Sequence, residues 1–537
     1  MPDAVVIGAG PNGLVAANLL ADAGWELAVL EARQEPGGAV KTAELTEPGF
    51  RSDVFSAFYP FAAASPVLRA LALQEHGLRW CRSPAAFAHP TADGRCAAVF
   101  SDIERTAASL DDYAEGDGEA WRRVYARWQT VGDSLLAALL RPFPPLRAAG
   151  RLAAQLGPGE LLRFIRFGLL PVRRLAEEEF AGPGGGNLLA GNALHADFMP
   201  EQPGSGLFGW LLSSLGQQLG YPVPEGGAGE LTGALVRRLR DRGADVSCGA
   251  EVTEIVLRGG RATGVRIRDG TSIEAPRGVI ADVDAPTLYR DLVGPEHLPA
   301  RLLDDLRRFQ WDHATFKVDW ALERPVPWTA QAAREAGTIH VAEGMDAMSR
   351  HAMQVVLRRL PDRPYLVFGQ YSPVDSTRMP PGREVAWAYT HIPHVVEEDA
   401  GGELTGSWDG AEAGAFADRM EHEVERLAPG FRDSIRSRHI LTPRGLEAAN
   451  PSLVDGAIVG GTGQIHQQLV LRPVPGLGRA ETPIDRLFLA SDSAHPGGGV
   501  HGACGANAAR AALARQRAAT RPFAIAAHAA ARAIARG

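Results

Sequence analysis

The stretch AVVIGAGPNGLVAANLLADAGWELAVLEAR, residues 4–33, decides the fold of the amino-terminal part of the chain. A short β-branched run is followed by Gly8, Gly10 and Gly13, an apolar helical stretch, a second apolar run and Glu31. Gly8 permits a tight turn, Gly10 lets main chain approach a ligand closely, and Gly13 allows the helix to pack on the strand. This order predicts a strand–helix–strand unit with an acid at its end.

The unit is typical of a dinucleotide site. The amino terminus of the helix offers unpaired amides and the positive end of its dipole to a pyrophosphate. At the end of the second strand, the Glu31 carboxylate can accept hydrogen bonds from a ribose diol. A carboxylate there disfavours a 2′-phosphate, although Arg33 leaves that question open. We therefore predict a bound dinucleotide.

Length and composition exclude several classes of protein. A chain of 537 residues exceeds what one hydrophobic core usually supports, which predicts two or more domains. The net charge of -8 argues against a nucleic-acid binder. Four cysteines without a CxxC pair or zinc-spaced histidines favour reduced thiols, a cytoplasmic location and no metal site. We expect neither a secretory signal before Ala4 nor a membrane-spanning helix.

Three further segments resemble FAD enzymes. The ExxxxxGG pattern that ends at Gly37 and Gly38 resembles the flavoprotein extension of the dinucleotide motif. Residues 222–270 are similar to a segment that returns to the nucleotide domain in amine oxidases and phytoene desaturases. Residues 487–509, LFLASDSAHPGGGVHGACGANAA, resemble a carboxyl-terminal flavin-binding signature. The chain thus resembles the phytoene desaturase and carotenoid isomerase family, in the branch of pyridine nucleotide-disulfide oxidoreductase domain-containing and phytoene dehydrogenase-related proteins.

This resemblance implies a non-covalently bound FAD and the residues that hold it. In the related enzymes the strand near Val252 lies beside the adenine, and the acid here at Asp492 bonds the ribityl or pyrophosphate part. The late glycines carry main chain past the flavin, and the next helix aims its amides at the pyrimidine end of the ring. The expected cofactor-binding residues are Gly8, Gly10, Gly13, Glu31, Arg33, Gly37, Gly38, Val252, Asp492, Gly499, Val500, Gly502 and Ala503.

The resemblance also implies an α/β fold: a discontinuous Rossmann-type FAD-binding domain of the amine oxidase and phytoene desaturase kind, with a substrate domain of mixed β-sheet plus helices. The FAD-binding domain would comprise residues 1–75, 222–295 and 440–537, and the substrate or cap domain residues 76–221 and 296–439. In the second insert, FKVDWAL, YLVFGQY and EVAWAYTHI alternate as half-buried strands do. The sheet face suggests an apolar substrate, although core packing gives the same pattern.

The first insert reads as helical and contains a basic stretch. Residues 141–174 carry seven arginines against the single acid Glu160, interleaved with Leu, Phe and Ile. Such an amphipathic surface can lie on an anionic membrane and admit a lipid-soluble substrate. A solvated cap, or an interface between copies in a homo-oligomer, explains the same pattern, and we favour it because the whole chain is acidic.

The expected activity is dehydrogenation of an apolar or conjugated small molecule by hydride transfer to flavin N5. Only one GxGxxG motif has the required context, so a nicotinamide domain is not expected and electrons would pass to oxygen, a quinone or another acceptor. Amine-oxidase-like C–N oxidation and redox-neutral isomerisation are alternatives. A flavin-containing binding protein without turnover is a third.

Several side chains are candidates for proton transfer at the flavin. His495 and His501 flank the triple glycine and are the first candidates, although each could simply bond the loop backbone. His195, Asp197 and His466 are weaker candidates. Cys504 could hold flavin covalently, but a small residue packed under a helix is the simpler interpretation.

Overall fold

The computed structural model describes residues 1–517 and 520–536. Residues 518, 519 and 537 of the expected 440–537 segment lie outside the described residues. The strands, in chain order, are β1 (Ala4–Ile7), β2 (Leu27–Glu31), β3 (Thr42–Ala43), β4 (Ser52–Asp53), β5 (Trp80–Cys81), β6 (Ala85–Pro90), β7 (Cys96–Phe100), β8 (Val223–Pro224), β9 (Val246–Cys248), β10 (Val252–Arg258), β11 (Arg261–Ile267), β12 (Ser272–Glu274), β13 (Gly278–Ala281), β14 (Ala314–Leu322), β15 (Ala336–Val341), β16 (Arg359–Leu360), β17 (Leu366–Gln370), β18 (Glu384–Ile392), β19 (Glu398–Asp399), β20 (Ile435–Leu441) and β21 (Leu487–Leu489).

Helices surround these strands and make up most of the first insert, as expected. They are α1 (Pro11–Asp22), α2 (Pro60–Ala64), α3 (Pro66–Ala70), α4 (Ile103–Asp111), α5 (Asp117–Leu139), α6 (Leu146–Leu169), α7 (Val172–Glu179), α8 (Pro183–Ala193), α9 (Ser205–Leu219), α10 (Gly229–Arg240), α11 (Ala300–Arg307), α12 (Gln331–Glu335), α13 (Met345–Val356), α14 (Gly410–Leu427), α15 (Pro443–Ala449), α16 (Ala503–Gln516) and α17 (Arg521–Arg536). Within the described ranges, none of them is both long and apolar enough to span a bilayer.

A parallel five-stranded sheet, in the order β21-β13-β1-β2-β9, forms the first layer. Helices α1, α10 and α16 pack on one face of this sheet, and the antiparallel strands β10, β11 and β12 contribute to the core on the other. The strands come from three distant parts of the chain. This arrangement confirms the predicted α/β fold, whereas the exact domain boundaries stay a prediction.

A mixed seven-stranded sheet, in the order β20-β14-β18-β17-β15-β6-β7, forms the second large element. The predicted strands FKVDWAL, YLVFGQY and EVAWAYTHI correspond to β14, β17 and β18.

The expectation that these strands are half-buried was wrong, because every residue of β14 is buried. On one face Phe316 packs edge-on against Phe416 of α14, at 5.0 Å between ring centres, and on the other Lys317 borders a cavity. The alternation therefore separates two buried environments rather than core from solvent.

Candidate active site

The first glycine turn leaves no space for side chains between β1 and α1. A Cβ on Gly13 would lie 2.1 Å from the carbonyl oxygen of Gly8, and a Cβ on Gly8 would lie 2.7 Å from the carbonyl oxygen of Asp282. Gly8 also has a φ of 88°, which side-chain-bearing residues rarely adopt. Helix α1 begins after Gly10 with Pro11, so its first turn approaches the end of β1 closely.

Glu31 ends β2 and holds this turn. One carboxylate oxygen accepts the N–H of Ala9 at 2.8 Å, and the other accepts the N–H of Arg33 at 2.9 Å. Each carboxylate oxygen has a second lone pair, so the side chain can still accept hydrogen bonds from a ligand. Nη2 of Arg33 donates to the carbonyl of Ala448 at 2.7 Å, which directs this guanidinium toward the end of α15.

Asp282, which sequence reasoning missed, follows β13 directly. Its carboxyl accepts the N–H of Gly13 at 2.7 Å. Burial raises the pKa of Asp282 to about 8, and the charges of Asp492 and Glu31 act in the same direction. Three carboxyl groups thus surround the carboxyl ends of β2, β13 and β21, where ligands bind in open α/β sheets. The signal was present in the sequence as an acid immediately after the buried run GVIA.

The other predicted residues of the amino-terminal part lie nearby. A Cβ on Gly38 would be 3.0 Å from Cα of Gly10, so the two glycine segments touch, and Gly37 donates its N–H to the carbonyl of Ala9 at 2.9 Å. Val252 belongs to the same core cluster as Ile7 and Leu30, at the ends of β1 and β2.

The late glycine loop meets the first glycine turn through two helices. A Cβ on Gly505 would lie 1.9 Å from the carbonyl oxygen of Asn12, so the amino-terminal turns of α16 and α1 are in direct contact. Nδ1 of His501 accepts the N–H of Ala503 at 3.0 Å. Within the described residues, the N–H groups of Gly499, Val500 and Gly502 have no acceptor, and Gly499 and Val500 border the cavity. Such a row of unpaired amides suits an electron-rich ring edge.

Arg472 positions the loop that contains Asp492. Its guanidinium donates to the carbonyls of Asp492, Val459 and Thr462 at 2.7–2.9 Å, and it is 1% exposed. Burial raises the pKa of Asp492 to about 6, although the positive charge of Arg472 opposes this effect. Asp492 borders the cavity.

A cavity of about 610 Å³ extends from this loop into the second sheet. At one end it is bordered by Asn12, Asp492, Gly498, Gly499 and Val500. Much of the remaining wall is apolar and includes Leu135, Leu139, Phe198, Leu207, Phe208, Leu211, Leu212 and Val367. The volume lies in the range of small-molecule sites.

A cross-strand row of the second sheet, called the floor row here, underlies the cavity. Lys317, Tyr389, Val367 and His340 lie side by side on β14, β18, β17 and β15, and the first three of them border the cavity. Lys317 is 3% exposed and donates through Nζ to the backbone oxygen of Asp53 and to Asp319. Sequence reasoning missed this lysine. Its signal was the alternation of Thr, Lys and Asp within an otherwise apolar strand.

The predicted proton-transfer residues occupy different places. His501 and His195 border the cavity, whereas His495 is not among its lining residues in the described ranges and bonds the backbone oxygen of Arg141 through Nε2 at 3.0 Å. The Asp197 carboxylate accepts hydrogen bonds from the Thr462 hydroxyl and the Gly463 N–H. His466 contacts Gln310 near the surface.

The comparisons with known proteins agree with this geometry. The family described as flavin containing amine oxidoreductase matches residues 12–513. Pyridine nucleotide-disulfide oxidoreductase domain-containing protein 2 of Mus musculus is 30% identical over 94% of this chain and 92% of its own length. A limonene dehydrogenase component from Castellaniella defragrans is 26% identical, over 95% of this chain and 94% of its own.

The fold is shared with solved amine oxidases. Cyclohexylamine oxidase from Brevibacterium oxydans aligns with a TM-score of 0.55 at 16% identity, over 96% of this chain and 100% of its own. The resemblance inferred from the glycine motifs is therefore confirmed, and the contacts between the two glycine segments explain why motifs at opposite ends of the chain occur together. The chain is a flavin-dependent oxidoreductase and belongs to the flavin containing amine oxidoreductase family.

Proposed function

We propose that the protein binds FAD non-covalently and dehydrogenates an apolar or conjugated small molecule. The observation that carries this proposal is the cavity, which continues without a break from the late glycine loop to a largely apolar wall. When bound, FAD supplies the hydride acceptor. The residues of the chain bind it, exclude water and orient the substrate.

The groups around the two glycine segments fit FAD. Unpaired amides at Gly499, Val500 and Gly502 suit the ring, and the first turn of α1 suits the pyrophosphate. Non-covalent binding is supported by Cys504, which is fully buried and directs its thiol toward the carbonyls of Ala494 and Gly497. Burial raises the pKa of Cys504 to about 12, so the nucleophilic thiolate is scarce at neutral pH.

The charges at the cavity favour an uncharged substrate over an amine. Among the described lining residues the only carboxylate is Asp492, which lies beside the Arg472 cation, and the Lys317 cation is already paired with Asp319 behind the wall. An ammonium group would therefore find no free carboxylate on the described cavity wall to pair with. Amine oxidation is therefore the less favoured alternative.

Within the described residues, both histidines of the glycine loop are weak bases. Burial lowers the pKa of His501 to about 4, so the ring is neutral at pH 7. Because Nδ1 accepts from Ala503, the proton of the ring is on Nε2. His501 is thus suited to hold the loop, and a catalytic role for His501 or His495 stays a prediction. Lys317 uses two of its three N–H donors, which leaves one for a water or a substrate atom.

Reconstitution with FAD followed by anaerobic titration tests the proposal. We expect limonene or its ketone carvone to perturb or bleach the visible flavin bands, and cyclohexylamine to have no effect. A protein that stays colourless with FAD, or a flavin bleached by cyclohexylamine alone, would overturn it. Isomer formation without an electron acceptor would indicate the redox-neutral alternative. A photoreduced flavin that neither oxygen nor quinone reoxidises would indicate a binding protein.

We also propose, as the alternative to the solvated cap or interface between copies that the acidic charge of the chain favours, that α6 contacts a membrane surface beside the cavity. Leu162, Ile165 and Leu169 are 69%, 51% and 55% exposed, and Leu169 and Ile465 border the cavity. The basic character is weaker than the sequence suggests, because salt bridges with acidic residues neutralise Arg163, Arg166, Arg173 and Arg174.

Sedimentation with anionic vesicles tests this contact. We expect wild-type protein to co-sediment and a Leu162→Gln, Ile165→Gln double variant to stay in solution. If both stay in solution and light scattering shows that the same substitutions dissociate an oligomer, this face is an interface between copies of the chain.

A further inference from the structure

Two histidines from separate elements meet at the wall of the cavity. His195 lies in a short 3-10 turn after α8, and His340 lies on β15 at the end of the floor row. Their Nε2 atoms are 2.9 Å apart and their rings are nearly perpendicular, at 88°. His195 borders the cavity, and His340 lies behind it.

This contact is a hydrogen bond between two neutral rings. Burial lowers the pKa of His195 to about 4 and holds the pKa of His340 well below its usual range. Each ring therefore carries one proton at pH 7, on either Nδ1 or Nε2. One of the two Nε2 atoms must donate and the other must accept.

The surroundings of His340 decide which ring donates. Its Nδ1 is buried without a hydrogen-bond partner among the described residues. Gly191 closes this side of the ring, because a Cβ on Gly191 would lie only 2.1 Å from Nδ1. A buried N–H without an acceptor is rarer in proteins than an acceptor without a donor. The proton of His340 is therefore on Nε2, and this N–H donates to His195.

The proton of His195 must then be on Nδ1. Within the described part of the chain, the hydrogen bond of the His195 ring runs through Nε2 to His340 and none runs through Nδ1, and this side chain borders the cavity. Thr338, two residues before His340 on β15, borders the same cavity, and its hydroxyl is buried without a partner. This end of the apolar cavity thus presents polar groups that the protein itself does not satisfy.

We propose that His195 recognises an oxygen atom of the substrate by donating a hydrogen bond from Nδ1. The inference rests on the proposed function and narrows it: the substrate is an apolar molecule with a carbonyl, hydroxyl or ether oxygen rather than a pure hydrocarbon. The oxygen lies at the His340 end of the floor row. Three strand spacings separate this end from Lys317, which is about 14 Å.

Matched ligands test the proposal with flavin-loaded enzyme. Carvone is limonene with one ring CH2 group replaced by a carbonyl group, so the two probes share a carbon skeleton and only carvone carries a hydrogen-bond acceptor. We expect His195→Phe to weaken carvone binding by about threefold to tenfold, the worth of one neutral hydrogen bond, and to leave limonene binding unchanged. His195→Gln, which keeps a donor, should restore part of the carvone affinity. His528→Phe, which removes a buried histidine away from the cavity, is the control.

A second measurement does not depend on ligands. Nitrogen-15 NMR of histidine-labelled protein, assigned by comparison with His195→Gln, should show the Nδ1–H tautomer for His195. The Nε2–H tautomer, or carvone affinity that is equal in wild type and His195→Phe, would overturn the proposal. If carvone binds through His195 and no compound of the panel reduces the flavin, the proposed dehydrogenation fails and this inference stands.

Discussion

Replacing Gly505 by alanine should separate the two helices on which both glycine segments depend. The added Cβ would lie 1.9 Å from the carbonyl oxygen of Asn12, whereas ordinary contact begins at 3.4 Å. The obstacle is backbone within the first turn of α1, and no flexible side chain can move aside. Helices α1 and α16 must therefore move apart by about 1.5 Å.

The expected cost follows from overpacking of a buried contact. An added methyl group in a packed contact lowers the free energy of unfolding by about 1–3 kcal/mol. The higher helix propensity of alanine offsets roughly 0.5–1 kcal/mol of this loss. The same movement displaces the unpaired amides at Gly499 and Val500. We therefore expect weaker FAD binding, by about tenfold.

Urea denaturation of the flavin-free protein and titration with FAD measure the two effects separately. Gly150→Ala is the matched control, because Gly150 lies in helix α6 and a Cβ there meets nothing within 4 Å. The free energy of unfolding of this control should exceed that of wild type by roughly 0.5–1 kcal/mol, and its affinity for FAD should be unchanged. Unchanged stability and unchanged FAD affinity in Gly505→Ala would refute the described contact between α1 and α16.

Three further predictions concern buried charged groups and thiols. Arg378→Met should lower the free energy of unfolding, measured in urea, by about 3–5 kcal/mol, because it removes the cation that is paired with the buried carboxylates of Asp53 and Asp375. Asp282→Asn should stabilise the flavin-free protein at pH 7, by an amount on the order of 4 kcal/mol: the folded-state pKa of Asp282 is raised to about 8, so between pH 4 and 8 the carboxyl ionises in the unfolded state but not in the folded state, which costs wild-type stability, and the advantage of the variant should fade as the pH falls to 4. An advantage that does not depend on pH would contradict this cause. In a thiol titration of native protein at pH 8, exposed Cys248 should react, and buried Cys504 should react only after unfolding. Reaction of the Cys504 thiol in the folded protein would contradict its burial.

The strands of the second sheet show how far the sequence pattern reaches. Alternation in FKVDWAL correctly predicts strand β14, since successive side chains point to opposite faces. It does not show that helix α14 covers one face and a cavity borders the other, because period two is the same whether the second face meets water or protein. Lys317 was missed for this reason.

The residues of the site divide in the same way. Gly8, Gly13 and Glu31 lie within one strand–helix–strand unit, so their spacing alone fixes their geometry. Asp282 joins them only through the pairing of β13 with β1. Its pKa depends on charges from residues far away in the sequence.

The sequence by itself determined the dinucleotide turn, the strands and the family, because each is encoded by glycines, acids and side-chain periodicity over a few dozen residues. Only the tertiary structure decided which groups border the cavity and which protonation state each of them has. The contact of His195 with His340 requires that a turn after α8 reach strand β15, 145 residues further along the chain. Burial then keeps both rings neutral, and the lack of an acceptor beside Gly191 determines which nitrogen of each ring carries the proton. Local sequence specifies neither the charge nor the proton positions.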